Sequence, residues 1–133
     1  SFAITPLFVD RAIWVVPASV PDEDIQKAFD PAFDPEKINP ILRHYVEIDS
    51  AVPTHKQSHE WFFGNLPHAI PTFRAPTFAS SIEFAADDLA TCHVLQSLLP
   101  NLSQTVVDNV KLFEIGGQEL RVVLAMRQSG GLV

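Results

Sequence analysis

The apolar positions fall into short runs whose period changes along the chain. Residues 2–9 and 12–17 read as two β-rich runs, with Asp10-Arg11 as a turn between them. Pro21 then opens a helical signal. Proline is tolerated in a first helical turn, and Asp22, Glu23 and Asp24 lie at the positive end of the helix dipole. Ile25, Ala28 and Phe29 follow at i, i+3, i+4 spacing, the stripe of a short amphipathic helix. The tandem Ala28-Phe29-Asp30-Pro31 and Ala32-Phe33-Asp34-Pro35 reads as a kinked connection, because each proline disfavours helical backbone at the Asp before it. Asp34 or Asn39 can cap a second helix, with Pro35 or Pro40 at its first position and Ile38, Ile41, Leu42 and Tyr45 as its buried stripe.

Residues 50–78 are the least periodic. Pro53, Pro67, Pro71 and Pro76 forbid a long helix or a central strand, yet the segment carries Trp61, Phe62, Phe63, Phe73 and Phe78. It reads as an ordered loop with one helical turn at 56–63, pinned to the body by its aromatics. Beyond it, 80–85 reads as a strand, and Asp87 or Asp88 as the start of a helix. Leu95, Leu98, Leu99 and Leu102 continue that helix's apolar face, with Pro100 breaking or restarting it. The clearest alternation lies at 119–127, where Leu120, Val122, Leu124 and Met126 alternate with Arg121, Val123, Ala125 and Arg127. With 110–115 it makes a hairpin around Gly116-Gly117. A two-residue turn sets Glu114 opposite Glu119. A three-residue loop buries better but places Gln118 where glycine is preferred, so the shorter turn is favoured.

Length fits this pattern to one domain. The chain has 133 residues, 47% hydrophobic and 19% charged, with mean hydropathy +0.13. A chain of that size buries roughly two-thirds of its unfolded surface and needs neither disulfide nor metal to fold. No apolar stretch reaches the length of a membrane-spanning helix. The expected fold is α+β: a single domain with an antiparallel sheet and two or three helices packed on one face.

Charge narrows the partners. The net charge of −7 is concentrated in residues 1–50, which carry five of the excess acids, and the nine cations are dispersed. Nucleic acid and anionic membrane surfaces are therefore not expected partners, whereas a basic protein is. A homo-oligomer is compatible with the same composition. Cys92, the single cysteine, sits in an apolar run and reads as a buried, inert thiol. The first twenty residues hold an apolar run broken by Asp10 and Arg11 with no basic segment before it. A signal peptide is not expected, and cytoplasmic residence is.

Three constellations could carry chemistry. His55 and His59 would share a helix face, and His68 or Glu60 could complete a site for zinc or another divalent ion. The spacing departs from a zincin motif, since Lys56 stands where the general-base Glu would follow the first His. His44, Tyr45, Glu47 and Asp49 offer acid–base groups close in sequence. No Gly-x-Ser-x-Gly elbow and no phosphate-cradling glycine loop occurs, so no catalytic residue is assigned. The tail Arg127-Gln128-Ser129-Gly130-Gly131-Leu132-Val133 follows a hydrophobic strand. Over about fifteen residues it resembles the end of ubiquitin-like modifiers. That resemblance implies a β-grasp fold and removal of Leu132 and Val133 to free the Gly131 carboxylate, although the chain is long for that family.

The expected function is a non-catalytic, acidic protein-binding module of inhibitor, immunity or adaptor type. Trp61, Phe62, Phe63 and Phe73 would form its binding surface. A small metal- or histidine-dependent enzyme using His55, His59 and His68 is the alternative, and a modifier precursor processed after Gly131 is the second.

Overall fold

Ala12–Pro17 forms strand β1 in the computed structural model, which describes residues 11–115 and the backbone of 121–122. β1 pairs antiparallel with β4 (Cys92–Leu95) on one edge and with β5 (Val110–Glu114) on the other. β6 (Arg121–Val122) extends the sheet beyond β5, giving the order β4-β1-β5-β6. A second, parallel pair joins β2 (His44–Ile48) to β3 (Ile70–Ala75). It meets the first sheet through a bridge between Tyr45 and Thr91, where the Val46 N–H donates to the Thr91 carbonyl at 2.9 Å. Parallel neighbours need a crossover connection, and helix α2 (His55–Asn65) supplies it. The expected α+β domain with an antiparallel sheet is the fold observed.

Both faces of β1 are covered. Ile13 and Val15 enter one core cluster with Ile82 and Ala85 of α3 (Phe78–Ala86), and Val106 of α4 (Gln104–Asp108) packs against it. Trp14 and Val16 enter a second cluster with Ile25 and Ala28 of α1 (Asp22–Ala28) and with Phe62 and Leu66. Trp14, Val15 and Val16 are fully buried, and each such side chain contributes about 1.5–3 kcal/mol of hydrophobic stabilisation. Cys92 is buried beside them, and burial pushes its thiol up to about 12, as an inert core cysteine requires. No helix among the described residues is long and apolar enough to cross a membrane.

Local signals near the N-terminus hold. β1 spans the expected residues, and α1 follows Pro21 with its three acids in the first turn. Asp34 and Asn39 both cap: their side chains accept the N–H of Glu36 at 3.0 Å and of Ile41 at 3.1 Å. What they cap are single 3-10 turns, Pro35–Lys37 and Pro40–Arg43, and not the expected second helix. Pro40 lacks the N–H that a helix begun at Pro35 would need, and its ring clashes with the preceding turn. Tyr45, assigned to that helix's stripe, lies in β2.

The middle of the chain departs further. The ordered loop of 50–78 is a helix of eleven residues between Pro53 and Pro67, followed by a strand. Pro71 is tolerated because β3 pairs only with β2 among the described residues, leaving its other edge free. Residues 80–85 are helical, not extended. Thr77 Oγ1 accepts the Ser80 N–H at 3.1 Å while Ser80 Oγ accepts the Thr77 N–H at 3.3 Å, a capping box that starts α3. Phe78, Ser81, Ile82 and Ala85 then turn one way at helical spacing, with Ser81 Oγ donating to the Phe78 carbonyl at 2.7 Å. Asp87 and Asp88 end this helix where they were expected to begin one, Asp88 taking a left-handed φ of 62°. The leucines after them form β4 and a 3-10 segment, Gln96–Asn101.

The hairpin partner of β5 is also displaced. Phe113 pairs with Val122 and Glu114 with Arg121, so Glu114 is not opposite Glu119 as a two-residue turn would have it. A slip of two residues leaves every side chain on its original face, and hydrophobic alternation cannot detect it. The run at 2–9, the turn around Gly116-Gly117 and the Gly130-Gly131 tail lie outside the described residues.

Three successive aromatics of α2 occupy three environments. Phe62 is fully buried, Trp61 is half-buried and Phe63 is 81% exposed, as a rotation of about 100° per residue dictates. Phe62→Ala should cost about 3–5 kcal/mol and Trp61→Ala about 2–3 kcal/mol, whereas Phe63→Ala should stay within about 0.5 kcal/mol of wild type. Urea unfolding of the three variants beside wild type measures all three values. A cost at Phe63 matching that at Phe62 would contradict the assigned helix orientation.

Candidate functional site

Two concave regions flank the N-terminal half of α2, and the helix builds a wall of each. Thr54, Ser58 and Trp61 recur at four- and three-residue spacing and so share one face. That face looks toward β4 and closes a pocket of about 300 Å³, completed by His93, Leu95 and Phe78. Its exposed wall is mostly apolar, and Thr54, Gln57, Ser58 and His93 bring polar groups to it. His93 is only 3% exposed. Nδ1 of His93 lies 2.8 Å from Ser58 Oγ, its ring stacks on Phe62 at 4.3 Å, and the edge of Trp61 meets it at 4.8 Å. Burial without a counter-charge holds His93 down to about 3, so the imidazole is neutral at physiological pH. Its Nε2 and the Thr54 hydroxyl are buried with no hydrogen-bond partner among the described residues.

The second region is polar. Glu47 projects from β2 between Arg74 of β3, at 3.2 Å, and two histidines of α2, His55 at 3.8 Å and His59 at 4.0 Å. Adjacent register explains the first contact, since Glu47 and Arg74 are paired positions of the parallel ladder. The Tyr45 hydroxyl reaches His59 Nδ1 at 3.5 Å, and burial, reinforced by the Glu47 charge, raises the tyrosine's pKa. A cleft of about 470 Å³ opens here, lined by Glu47, Asp49, Ser50, His55 and Arg74.

His55 and His59 therefore do share a helix face, with rings stacked at 6.3 Å. His68 does not join them. Its Nε2 donates to the Asp30 carbonyl at 3.0 Å, on the far side of α2's C-terminal connection. Glu60 faces Lys56 at 4.0 Å on the exposed surface. Among the described residues no group of three His, Cys, Asp or Glu side chains is placed to hold a metal ion. Of the acid–base candidates, Glu47 and Asp49 line the polar cleft and the Tyr45 hydroxyl reaches His59, while His44 bonds Thr72 Oγ1 at 2.6 Å. Of the four aromatics assigned to a surface, Phe63 is on it. Phe62 belongs to the core, and Phe73 packs half-buried against Phe84 at 4.9 Å.

The Ser58–His93 pair is absent from the sequence reading. Its members lie 35 positions apart, and the one local signal was a lone histidine inside the apolar run Cys92–Leu95. Comparison of the chain with protein-family models, curated protein sequences and solved structures finds no match in any of the three.

His93 makes acid stability a direct readout of this site. Its folded pKa of about 3 lies below the unfolded value of 6.5, so on acidification the unfolded chain gains a proton before the folded one does. Stability should be present above pH 6.5 and fall by up to about 1.4 kcal/mol per pH unit between there and pH 3. Wild type should lose about 1–3 kcal/mol more than His93→Gln between pH 7 and pH 4 in urea titrations. A pH-independent difference between the two proteins would mean that His93 titrates normally.

Proposed function

We propose that the protein is a non-catalytic binding module of the cytoplasm that docks a basic protein segment at the corner between α2 and β3. The observation that carries this reading is Phe63, whose ring is 81% exposed although the residue before it is fully buried. Ile70, 58% exposed, begins β3 after the short connection 66–69 that follows α2. Large apolar side chains bordered by polar ones are the usual composition of a docking patch. The His68–Asp30 contact ties this corner to the acidic segment containing Asp30, Asp34 and Glu36. An apolar anchor beside a row of carboxylates favours a partner that presents an apolar side chain among lysines and arginines.

The groups capable of catalysis support binding over chemistry. A general base works best with a pKa near the working pH, and His93 is held far below it. Glu47 is engaged by Arg74 and lies beside two histidines.

The expected outcome is a basic partner retained from native-cell lysate by wild type and reduced roughly thirtyfold in affinity by Phe63→Ala, with unchanged melting temperature. Asp30→Lys should weaken the same partner and flatten the salt dependence of its binding. Retention of every partner by folded Phe63→Ala, measured quantitatively beside wild type, rejects the reading.

A further inference from the structure

We propose that the pocket between α2 and β4 is a binding site for a small, uncharged aromatic alcohol. Its ring would lie against Trp61 and Phe78, and its hydroxyl would meet His93, Ser58 and Thr54. This site is separate from the exposed Phe63 corner, because it is built by the opposite face of the same helix.

Size sets the first limit. About 300 Å³ is at the small end of ligand pockets and suits a molecule of one or two rings. Chemistry sets the second. Among the described residues no aspartate, glutamate, lysine or arginine lines the pocket, and its histidine is neutral. A carboxylate or ammonium entering it would lose hydration with no counter-charge to replace it. An aromatic ring instead meets two aromatic side chains and the aliphatic Leu95.

The polar atoms set the third limit. His93 and Thr54 line the pocket, and each carries a buried polar atom, Nε2 and Oγ1, with no partner among the described residues; such groups favour a ligand that can pair with them as it seats. The role of Nε2 depends on the Ser58 bond. If Ser58 donates to Nδ1, then Nε2 carries the hydrogen, and if Nδ1 donates to Ser58, then Nε2 accepts. A hydroxyl satisfies either tautomer because it both donates and accepts. A ketone or an ether would suit only one.

The test is a titration of the full chain at pH 7 with 2-naphthol, followed by calorimetry and by tryptophan fluorescence. Naphthalene and 2-naphthoate serve as matched probes lacking the hydroxyl or carrying a charge. We expect 2-naphthol to bind with a Kd on the order of 10–100 µM. Each matched probe should bind at least about tenfold more weakly. Ala12→Phe, which places a larger side chain at the pocket wall, should abolish binding without lowering the melting temperature. No saturable binding of 2-naphthol below about 1 mM overturns the proposal. So does equal affinity for naphthalene or 2-naphthoate, or undiminished binding by folded Ala12→Phe. Should that variant fail to fold, the comparison of the three probes on wild type decides alone.

Discussion

The ring of Phe62 is held face to face between two others, Tyr45 at 3.9 Å and His93 at 4.3 Å. Two parallel rings at those distances must take opposite faces of the third, so Phe62 is a wedge between β2 and β4. Among the described residues β2 joins this side of the sheet through one isolated bridge, from Tyr45 to Thr91 just before β4. The wedge therefore does what a longer hydrogen-bonded ladder would otherwise do: it fixes how the parallel pair sits against the antiparallel sheet. It also fixes α2, whose other inward residues are half-buried until Leu66 follows its end. With Phe62 inward, helical geometry puts Ser58 one turn earlier on the side of His93, and turns Phe63 outward. Both proposed surfaces follow from that one orientation.

A strand paired along both edges and covered on both faces keeps water from any polar side chain it carries, and β1 is in that position: Trp14 Nε1 is buried with no hydrogen-bond partner among the described residues. Its neighbours inherit the constraint. β4 pairs with β1 and is buried from Cys92 to Val94, so the histidine between them must give up its charge to stay. Ser81 meets the same demand by donating to a carbonyl of its own helix, at no cost in chain order. His93 needs a residue from another element, and only one of its two nitrogens finds one among the described residues. Among the described residues the energetic tension of the fold is shared by four buried polar atoms without a partner, Trp14 Nε1, Thr54 Oγ1, Thr91 Oγ1 and His93 Nε2.

The parts of this arrangement that depend on near neighbours were legible. Caps at Asp34 and Asn39, the acids after Pro21 and the limits of β1 each involve residues within a few positions of one another. The unequal exposure of Trp61, Phe62 and Phe63 was legible too, since it follows from helical rotation alone. What failed were short apolar runs whose period is ambiguous. At 80–85, Ile82 and Phe84 satisfy a two-residue alternation, while Ser81 and Ala85 satisfy a helical one only once a serine is accepted as a core residue. At 92–95 the run is four residues long, too short to display any period, and pairing with β1 decides it. The β2–α2–β3 crossover was hidden for another reason: prolines were read as breaking the segment when they mark its joints. Pro53 and Pro67 bracket the helix, and Pro71 sits in a strand that pairs on one edge alone among the described residues.

The candidate site shows the same division between local and distant signals. His55 and His59 advertise themselves by spacing, and the spacing is real, but a shared helix face is not a coordination sphere. Glu47, presented by the neighbouring strand, lies against both and is itself held by Arg74, so the cluster is closed by salt-bridge geometry. His68, nine residues further on, is carried past the helix end and fastens the connection to Asp30. Ser58 and His93 have no spacing to advertise, yet they are the pair whose chemistry the fold perturbs. A histidine in open cleft surroundings exchanges its hydrogen bonds with water at little cost, whereas one stacked between rings keeps whatever partner the fold supplies. That difference in solvent access, more than the number of titratable groups, is why the proposed ligand site is the apolar pocket and not the charged cleft.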